Sequence, residues 1–416
     1  LYLRRLRDAE QRVARALRAR SDGRLLVITG GPGTGKTTSV KQRLATLEQA
    51  TPNLRIALAA PTGKAATRLG QAVGRPAETV HRLLGYLPSE DRFRRGPGDP
   101  LEQDVVVIDE ASMLPLTLMD ALLAALRPDT RLILLGDHEQ LASVEAGNVL
   151  GDVVRAAEGG ALRGAVERLT TSHRFDATRG IGALARAIRE GDADAVIALL
   201  VAGEHGLSLA AGGVRDAAWV ERYVANILPV FAAASADEAL ERLEAARVLC
   251  ATNVGESGSE AVVRRVESEL RRRGIAARGS RYRGRPVLIG RNDYALELFN
   301  GDTGVLWSDS DDPTSVREAF VAGSGVGQVR AIPLPQLPEA STAWAMSVHK
   351  SQGSEFNRVT VVLPEGEARV VTRELLYTAV TRAREQVEIV GSEESVRRAV
   401  ERRTLRSSGL LERLAP

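Results

Sequence analysis

Residues 30–37 read Gly30-Gly31-Pro32-Gly33-Thr34-Gly35-Lys36-Thr37, and this octapeptide limits the fold more than any other part of the chain. It has the spacing G-x-x-x-x-G-K-[ST]. Its glycines let the backbone wrap tightly enough for successive N–H groups to converge on phosphate oxygens. Such a turn works between a buried strand and a helix, and both are written beside it. The apolar run 24–29 reads as a strand, and 38–49 has the composition of a helix. The helix N-terminus adds its partial positive charge. A nucleoside triphosphate is therefore expected on Gly31, Pro32, Gly33, Thr34, Gly35, Lys36, Thr37 and Thr38. Lys36 would reach the β- and γ-phosphates, and the Thr37 hydroxyl would bind Mg²⁺.

Strand-like and helix-like segments alternate through the first 190 residues, the pattern of an α/β fold with a parallel sheet covered by helices. Strands are expected at 24–29, 55–60, 104–109, 130–136 and 166–170. Each is a short Val/Ile/Leu-rich run with hardly any alternation, as burial on both faces requires. Ahead of the loop, Leu6, Val13 and Leu17 share one face of a helix that Ser21-Asp22-Gly23 ends. Residues 85–103, rich in Gly, Pro, Arg and acids, interrupt the alternation as a surface loop or short hairpin. The stretch 181–246 is helix-rich and Ala-rich. A second alternating region starts at 247–252 and resumes at 358–363 and 386–390. Between them, short β-like runs at 286–289, 303–307 and 328–332, set off by Gly, Asp and Pro, indicate a small all-β insertion within 285–340.

With 416 residues the chain has room for two or three domains. The net charge of +3 is compatible with nucleic acid but does not argue for it. Cys250 is the only cysteine, so no internal disulfide forms, and a reducing, cytoplasmic location is expected. It ends an apolar run and reads as a buried structural thiol. One cysteine and five scattered histidines give no zinc-ligand spacing. No apolar run reaches membrane-spanning length, and the basic N-terminus lacks the apolar region of a signal peptide. The chain begins at Leu1 rather than Met, which suggests a missing N-terminal portion.

A phosphate loop alone fits kinases, GTPases, transporters and motors, so discrimination rests on the segments C-terminal to it. Val105-Val106-Val107-Ile108 runs into Asp109 and Glu110. Asp109 at the strand tip can hold Mg²⁺ through water, and Glu110 can polarise an attacking water. A kinase has no need of the second acid; an NTP hydrolase does. The next strand runs into Gly136-Asp137-His138-Glu139-Gln140-Leu141, which places Gln140 to sense the γ-phosphate or orient water. Ala60-Pro61-Thr62-Gly63-Lys64 follows a strand and opens a helix. Thr62 and Lys64 there suit a polynucleotide phosphate, and a plain strand–helix turn fits equally well.

Taken in order, these segments resemble the superfamily-one DNA helicases, and within them the RecD family, the alpha subunit of exodeoxyribonuclease V. The resemblance runs over nearly the whole chain. Its later members are Ser172-His173-Arg174-Phe175, Val348-His349-Lys350-Ser351-Gln352-Gly353-Ser354-Glu355-Phe356 and Tyr377-Thr378-Ala379-Val380-Thr381-Arg382-Ala383-Arg384. The stretch Ala142-Ser143-Val144-Glu145-Ala146-Gly147 and the run Arg291-Asn292-Asp293 to Phe299-Asn300-Gly301-Asp302 look more RecD-like than generally helicase-like.

The resemblance implies two RecA-like lobes with parallel sheets, a hairpin insert in the first and a small β-barrel-like insert in the second. Accordingly 1–190 is expected as the first lobe with its insert at about 85–103. Residues 191–284 would form a helical region and the start of the second lobe, 285–340 the β insert, and 341–416 the remainder. Gln11 would hydrogen-bond adenine, as an amide can on the N6/N7 edge. Arg174 and Arg382 would approach the γ-phosphate from across the cleft. Thr62, Lys64, His81, His349, Lys350 and Thr378 would meet DNA, while Arg384 is as readily a surface salt bridge. ATP and Mg²⁺ are the implied cofactors. Single-stranded DNA, duplex ends and RecB-like and RecC-like subunits are the implied partners, with no membrane. The implied activity is ATP-dependent 5′-to-3′ unwinding in double-strand break repair by homologous recombination. Two alternatives stay open, a stand-alone RecD-like helicase and a DNA-stimulated ATPase clamp that does not unwind. RecD subunits carry a further N-terminal domain, so either that domain has been removed or this protein is shorter than its relatives.

Overall fold

The computed structural model describes residues 4–143, 145–162, 164–275, 281–293, 296, 298–308, 310, 315–322, 329–404 and 408–415. Val144 and parts of the expected 285–340 insert lie outside them. The chain divides into two units, Leu1–Arg174 with Leu405–Pro416, and Phe175–Thr404.

In the first unit six parallel strands form one sheet. Their order is Glu78–Thr79, Ile56–Ala60, Val105–Ile108, Arg131–Gly136, Leu25–Gly30 and Val166–Leu169. Five were expected from their apolar runs; the two-residue edge strand was not. The lack of alternation has the expected cause, because residues of both parities are buried. Val27, Ala59, Val106, Ile108, Leu132 and Leu134 face one core, which they share with helices Arg4–Arg18, Leu116–Ala125 and Val149–Glu158. Ile28, Leu58, Val107, Ile133 and Leu135 face the other, against Val40 and Leu44 of helix Lys36–Ala50 and Leu69 of helix Gly63–Val73. At about 1.5–3 kcal/mol for each large aliphatic side chain removed from water, the two layers carry most of this unit's stability. The insert is a short hairpin, Tyr86–Leu87 paired antiparallel with Arg92–Phe93.

The second unit holds a five-stranded parallel sheet ordered Ala345–Ser347, Ala246–Cys250, Phe356–Val362, Ala383–Val390 and Leu207–Ala210. The insert is an antiparallel five-stranded sheet ordered Val329–Pro333, Glu318–Ala322, Thr303–Trp307, Pro286–Ile289 and Ala340–Thr342. Among the described residues its two outer strands do not pair with each other. Cys250 is buried as expected, and burial pushes its thiol pKa up.

Two boundaries differ from those expected of the sequence. Helix Gly180–Glu190 belongs to the second unit, where it packs against helix Arg373–Val380 and strand Ala383–Val390. At the other end, residues 405–416 return to the first unit. Leu410 and Leu414 lie fully buried there, in the core beneath helix Arg4–Arg18.

Candidate nucleotide site and its surroundings

Strand Leu25–Gly30 ends at the loop, and helix Lys36–Ala50 begins immediately after it. Gly33 and Gly35 have φ of 75° and 82°, a region a side chain strongly disfavours. A Cβ on Gly33 would also lie 2.3 Å from Arg174 Cβ. Glycine is thus required here by both conformation and contact. Lys36 Nζ donates to Gly30 O at 2.6 Å and Gly31 O at 3.0 Å, so the ammonium lies over the loop. Thr34 ties the loop internally by donating to Gly31 O at 2.9 Å.

The segment 172–174 braces the same loop. Ser172 Oγ donates to Pro32 O at 3.1 Å, and His173 N donates to Gly33 O at 2.8 Å. Arg174 therefore sits beside the phosphate loop, within the loop's own unit, where an approach from across the cleft was expected.

Asp109 follows strand Val105–Ile108, next to the loop strand's neighbour in the sheet. Its Oδ1 accepts the Glu110 N–H at 2.8 Å. Burial, then the Glu110 charge, push its carboxyl up to about 7, while Lys36 and Arg68 pull the other way. Glu110 has φ of 51°, a left-handed conformation that costs a residue with a side chain about 1 kcal/mol or more. The turn Ala111–Met113 comes directly after and holds it so.

Gln140 is buried, and its Nε2 donates to Asp137 Oδ2 at 3.3 Å. Asp137 thus orients the amide, a role the sequence alone did not assign. Thr29 was also missed. Its hydroxyl lies 2.8 Å from His138 Nδ1, joining the strand before the loop to the turn that carries Gln140. A polar residue closing an otherwise apolar strand was the available signal. Thr37 and Thr38 stand in the first turn of helix Lys36–Ala50, and Gln11 is exposed on helix Arg4–Arg18.

The expected DNA contacts divide. Thr62 caps helix Gly63–Val73, its Oγ1 accepting the Ala65 N–H at 3.3 Å, and Lys64 lies in that helix's first turn. His81 is part-buried between Tyr86 and Phe93, with ring centroids 5.5 and 5.7 Å away. Burial lowers its pKa, which favours the uncharged ring, and the ring packs against the hairpin.

In the second unit His349 and Lys350 occupy a 3-10 turn after strand Ala345–Ser347. Ser351 is buried there and donates to Val348 O at 2.7 Å. Thr378 is fully buried, and its hydroxyl donates to Glu374 O at 2.7 Å within helix Arg373–Val380. It has no surface to offer a strand, which corrects its placement among DNA contacts. Arg382 is 4% exposed. Its Nε donates to Thr378 O at 3.2 Å and its guanidinium to Ser354 O at 3.4 Å. Arg384 pairs with Glu355 at 3.3 Å on the surface.

A family profile described as "AAA domain" matches residues 7–206, and one described as "UvrD-like helicase C-terminal domain" matches 342–390. The chain is 46% identical to the RecBCD enzyme subunit RecD of Mycolicibacterium smegmatis, over 98% of this chain and 75% of that protein. It is 34% identical to the ATP-dependent RecD2 DNA helicase of Deinococcus radiodurans, over 94% of this chain and 50% of that protein. A Pif1 helicase solved in a study of unwinding at forked double-stranded DNA superposes with a TM-score of 0.50 at 15% identity, covering 92% of this chain and 93% of its own. That likeness is one of fold, an α/β architecture with two RecA-like lobes. With this fold, a nucleotide-binding loop and near-complete alignment to a RecD subunit, the chain belongs to the RecD family.

Proposed function

We propose that the chain is an ATP-driven 5′-to-3′ DNA helicase, the RecD subunit of a RecBCD-type helicase–nuclease acting in double-strand break repair by homologous recombination. The observation that carries this reading is the set of polar groups at the strand ends of the first sheet, namely Lys36 over the loop, Asp109, Glu110 and Gln140. They suit hydrolysis of a nucleoside triphosphate. Lys36 neutralises the β- and γ-phosphates, Glu110 polarises the attacking water, and Gln140, held by Asp137, reports the γ-phosphate. Thr37 and Asp109 fit Mg²⁺, which takes one or two protein oxygens and completes its shell with phosphate and water. The bound ion would neutralise charge that develops on the phosphates. Gln11 selects adenine, and Arg174 and Arg382 serve as the cationic contacts to the γ-phosphate. ATP favours the state in which those contacts are made, and hydrolysis removes that differential affinity. Lys64, the Thr62 turn, His349 and Lys350 hold single-stranded DNA by its phosphates. Opening duplex costs roughly 1.4 kcal/mol per stacked step. The likeness to RecD subunits supports RecB-like and RecC-like partners and the stated polarity.

Unwinding of forked duplexes with a 5′ or a 3′ single-stranded tail tests the reading. The 5′-tailed fork should open and the 3′-tailed fork should not. Glu110→Gln should abolish opening while nucleotide still binds, because the carboxylate acts in the transition state. DNA-stimulated hydrolysis with neither fork opened would leave the clamp reading instead.

A further inference from the structure

The last residues of the chain hold a particular side chain of the first helix. Leu410 and Leu414 are fully buried in the core that contains Ala9, Val13 and Leu17 of helix Arg4–Arg18. Polar contacts then fix how that helix is turned. Glu10 is 1% exposed, and its Oε1 accepts the Gly409 N–H at 2.8 Å. The Ser408 hydroxyl lies 3.4 Å from the same oxygen and donates to Asp152 Oδ2 at 2.7 Å, tying in helix Val149–Glu158. Arg413 Nε stands 3.5 Å from Glu10 Oε2. A Cβ on Gly409 would lie 2.7 Å from Glu10 Oε2, so a side chain there would displace the carboxylate.

Successive helical side chains diverge by about 100°. A helix whose Glu10 is seated in this way therefore has the direction of Gln11 set as well, and Gln11 is exposed. We propose that residues 408–414 form a clasp that, through Glu10, fixes the helix presenting Gln11, so that Glu10, Ser408 and Gly409 are positioning residues for recognition of the nucleotide base. The inference rests on the reading of Gln11 as the adenine contact. None of these residues touches nucleotide, so the clasp acts on base selection and not on the chemical step.

Steady-state hydrolysis of ATP and of GTP, at saturating single-stranded DNA, tests the clasp in the full chain. Ser408→Ala, Gly409→Ala and a chain ending at residue 404 should each raise KM for ATP about fivefold or more. Their kcat should stay within about twofold and KM for GTP should hold, because only adenine offers the N6/N7 edge an amide reads. Gln11→Ala should show the same loss of preference, and Gln11→Ala with Ser408→Ala should be no worse than Gln11→Ala alone. Where the shortened chain does not fold, the two point variants decide. A parallel rise in KM for both nucleotides, or an effect that multiplies with Gln11→Ala, would make the tail mere structural support and overturn the proposal. Unchanged KM in the Ser408 and Gly409 variants beside a damaged Gln11→Ala would sink the clasp alone. A silent Gln11→Ala would remove the adenine reading and the clasp with it.

Discussion

Asp109→Asn should stabilise the nucleotide-free protein while destroying its activity. Burial and the neighbouring Glu110 push the Asp109 carboxyl up to about 7 from the usual 3.8. The native state therefore holds this proton more tightly than the unfolded chain does. Between pH 3.8 and about 7 the unfolded chain has released it and the native protein has not, so stability falls as pH rises through that window. Above it the ionised carboxylate exacts its full cost, at most about 4 kcal/mol for a separation of that size. Asp109 is only part-buried, so water screens part of that charge and the cost is about 2 kcal/mol. Asparagine keeps an Oδ1 to accept the Glu110 N–H at 2.8 Å and carries no charge.

For a unit of this size about 2 kcal/mol corresponds to a rise of roughly 4–8 °C in melting temperature. The assay is differential scanning calorimetry of both proteins, without nucleotide or magnesium, from pH 5 to 8. The difference between variant and wild type isolates this carboxyl from every other titrating group. It should already be partly developed at pH 5, grow further as pH rises and level off by about pH 7. Adding magnesium and nucleotide should reverse the order, because ligand stabilises only the protein that binds it. A variant no more stable than wild type at pH 8, or a difference that ignores pH, would refute the argument.

Arg382→Ala should lower DNA-stimulated ATP turnover by about 10³-fold or more if its guanidinium reaches the γ-phosphate. Arg382→Lys should rescue little, since an ammonium lacks the fork, although it retains the charge. Steady-state rates with melting curves check this; a large loss of stability with near-normal turnover would mean that the bonds to Thr378 O and Ser354 O are its whole purpose. Thr378→Val should leave affinity for single-stranded DNA within about twofold, as the hydroxyl serves Glu374 O inside the helix. Its stability cost should be about 1 kcal/mol. Fluorescence anisotropy with labelled oligonucleotide measures the affinity, and a tenfold weakening would return Thr378 to the DNA surface.

Much of the first sheet could be read from sequence because its strands are buried on both sides, which leaves unbroken aliphatic runs such as 105–108 and 132–135. The strands that were missed in the two parallel sheets are those too short to show a run. Glu78–Thr79 has two residues and Ala345–Ser347 three, and Leu207–Ala210 adds only four after an Ala-rich helical stretch. The return of residues 408–414 escaped for a different reason. An apolar Leu410-Leu411 pair announces that something will cover it, not which unit will do so. The same limit misplaced helix Gly180–Glu190, whose Ile181, Leu184 and Ile188 are an ordinary amphipathic face.

At the strand ends around the phosphate loop, the sequence pointed to the groups proposed to meet a ligand and not to those that hold them. Lys36, Asp109, Glu110 and Gln140 have the spacing of their chemistry. Asp137, Ser172, Thr29 and His138 became visible only as hydrogen-bond partners. Thr29 and Asp137 are buried, and polar groups so placed are unfavourable unless each is satisfied. They gather where strands end, because there a backbone leaving the sheet supplies N–H groups such as those of Glu110 and Glu139. Glu110 adds its left-handed backbone to that burden, at the same strand end as the part-buried Asp109. Valines and leucines of the strands behind them, at zero exposure on both faces, offset the cost. The aliphatic layer and the strained polar edge are therefore two parts of one arrangement. That is why a substitution relieving Asp109 should strengthen the fold and silence the site together.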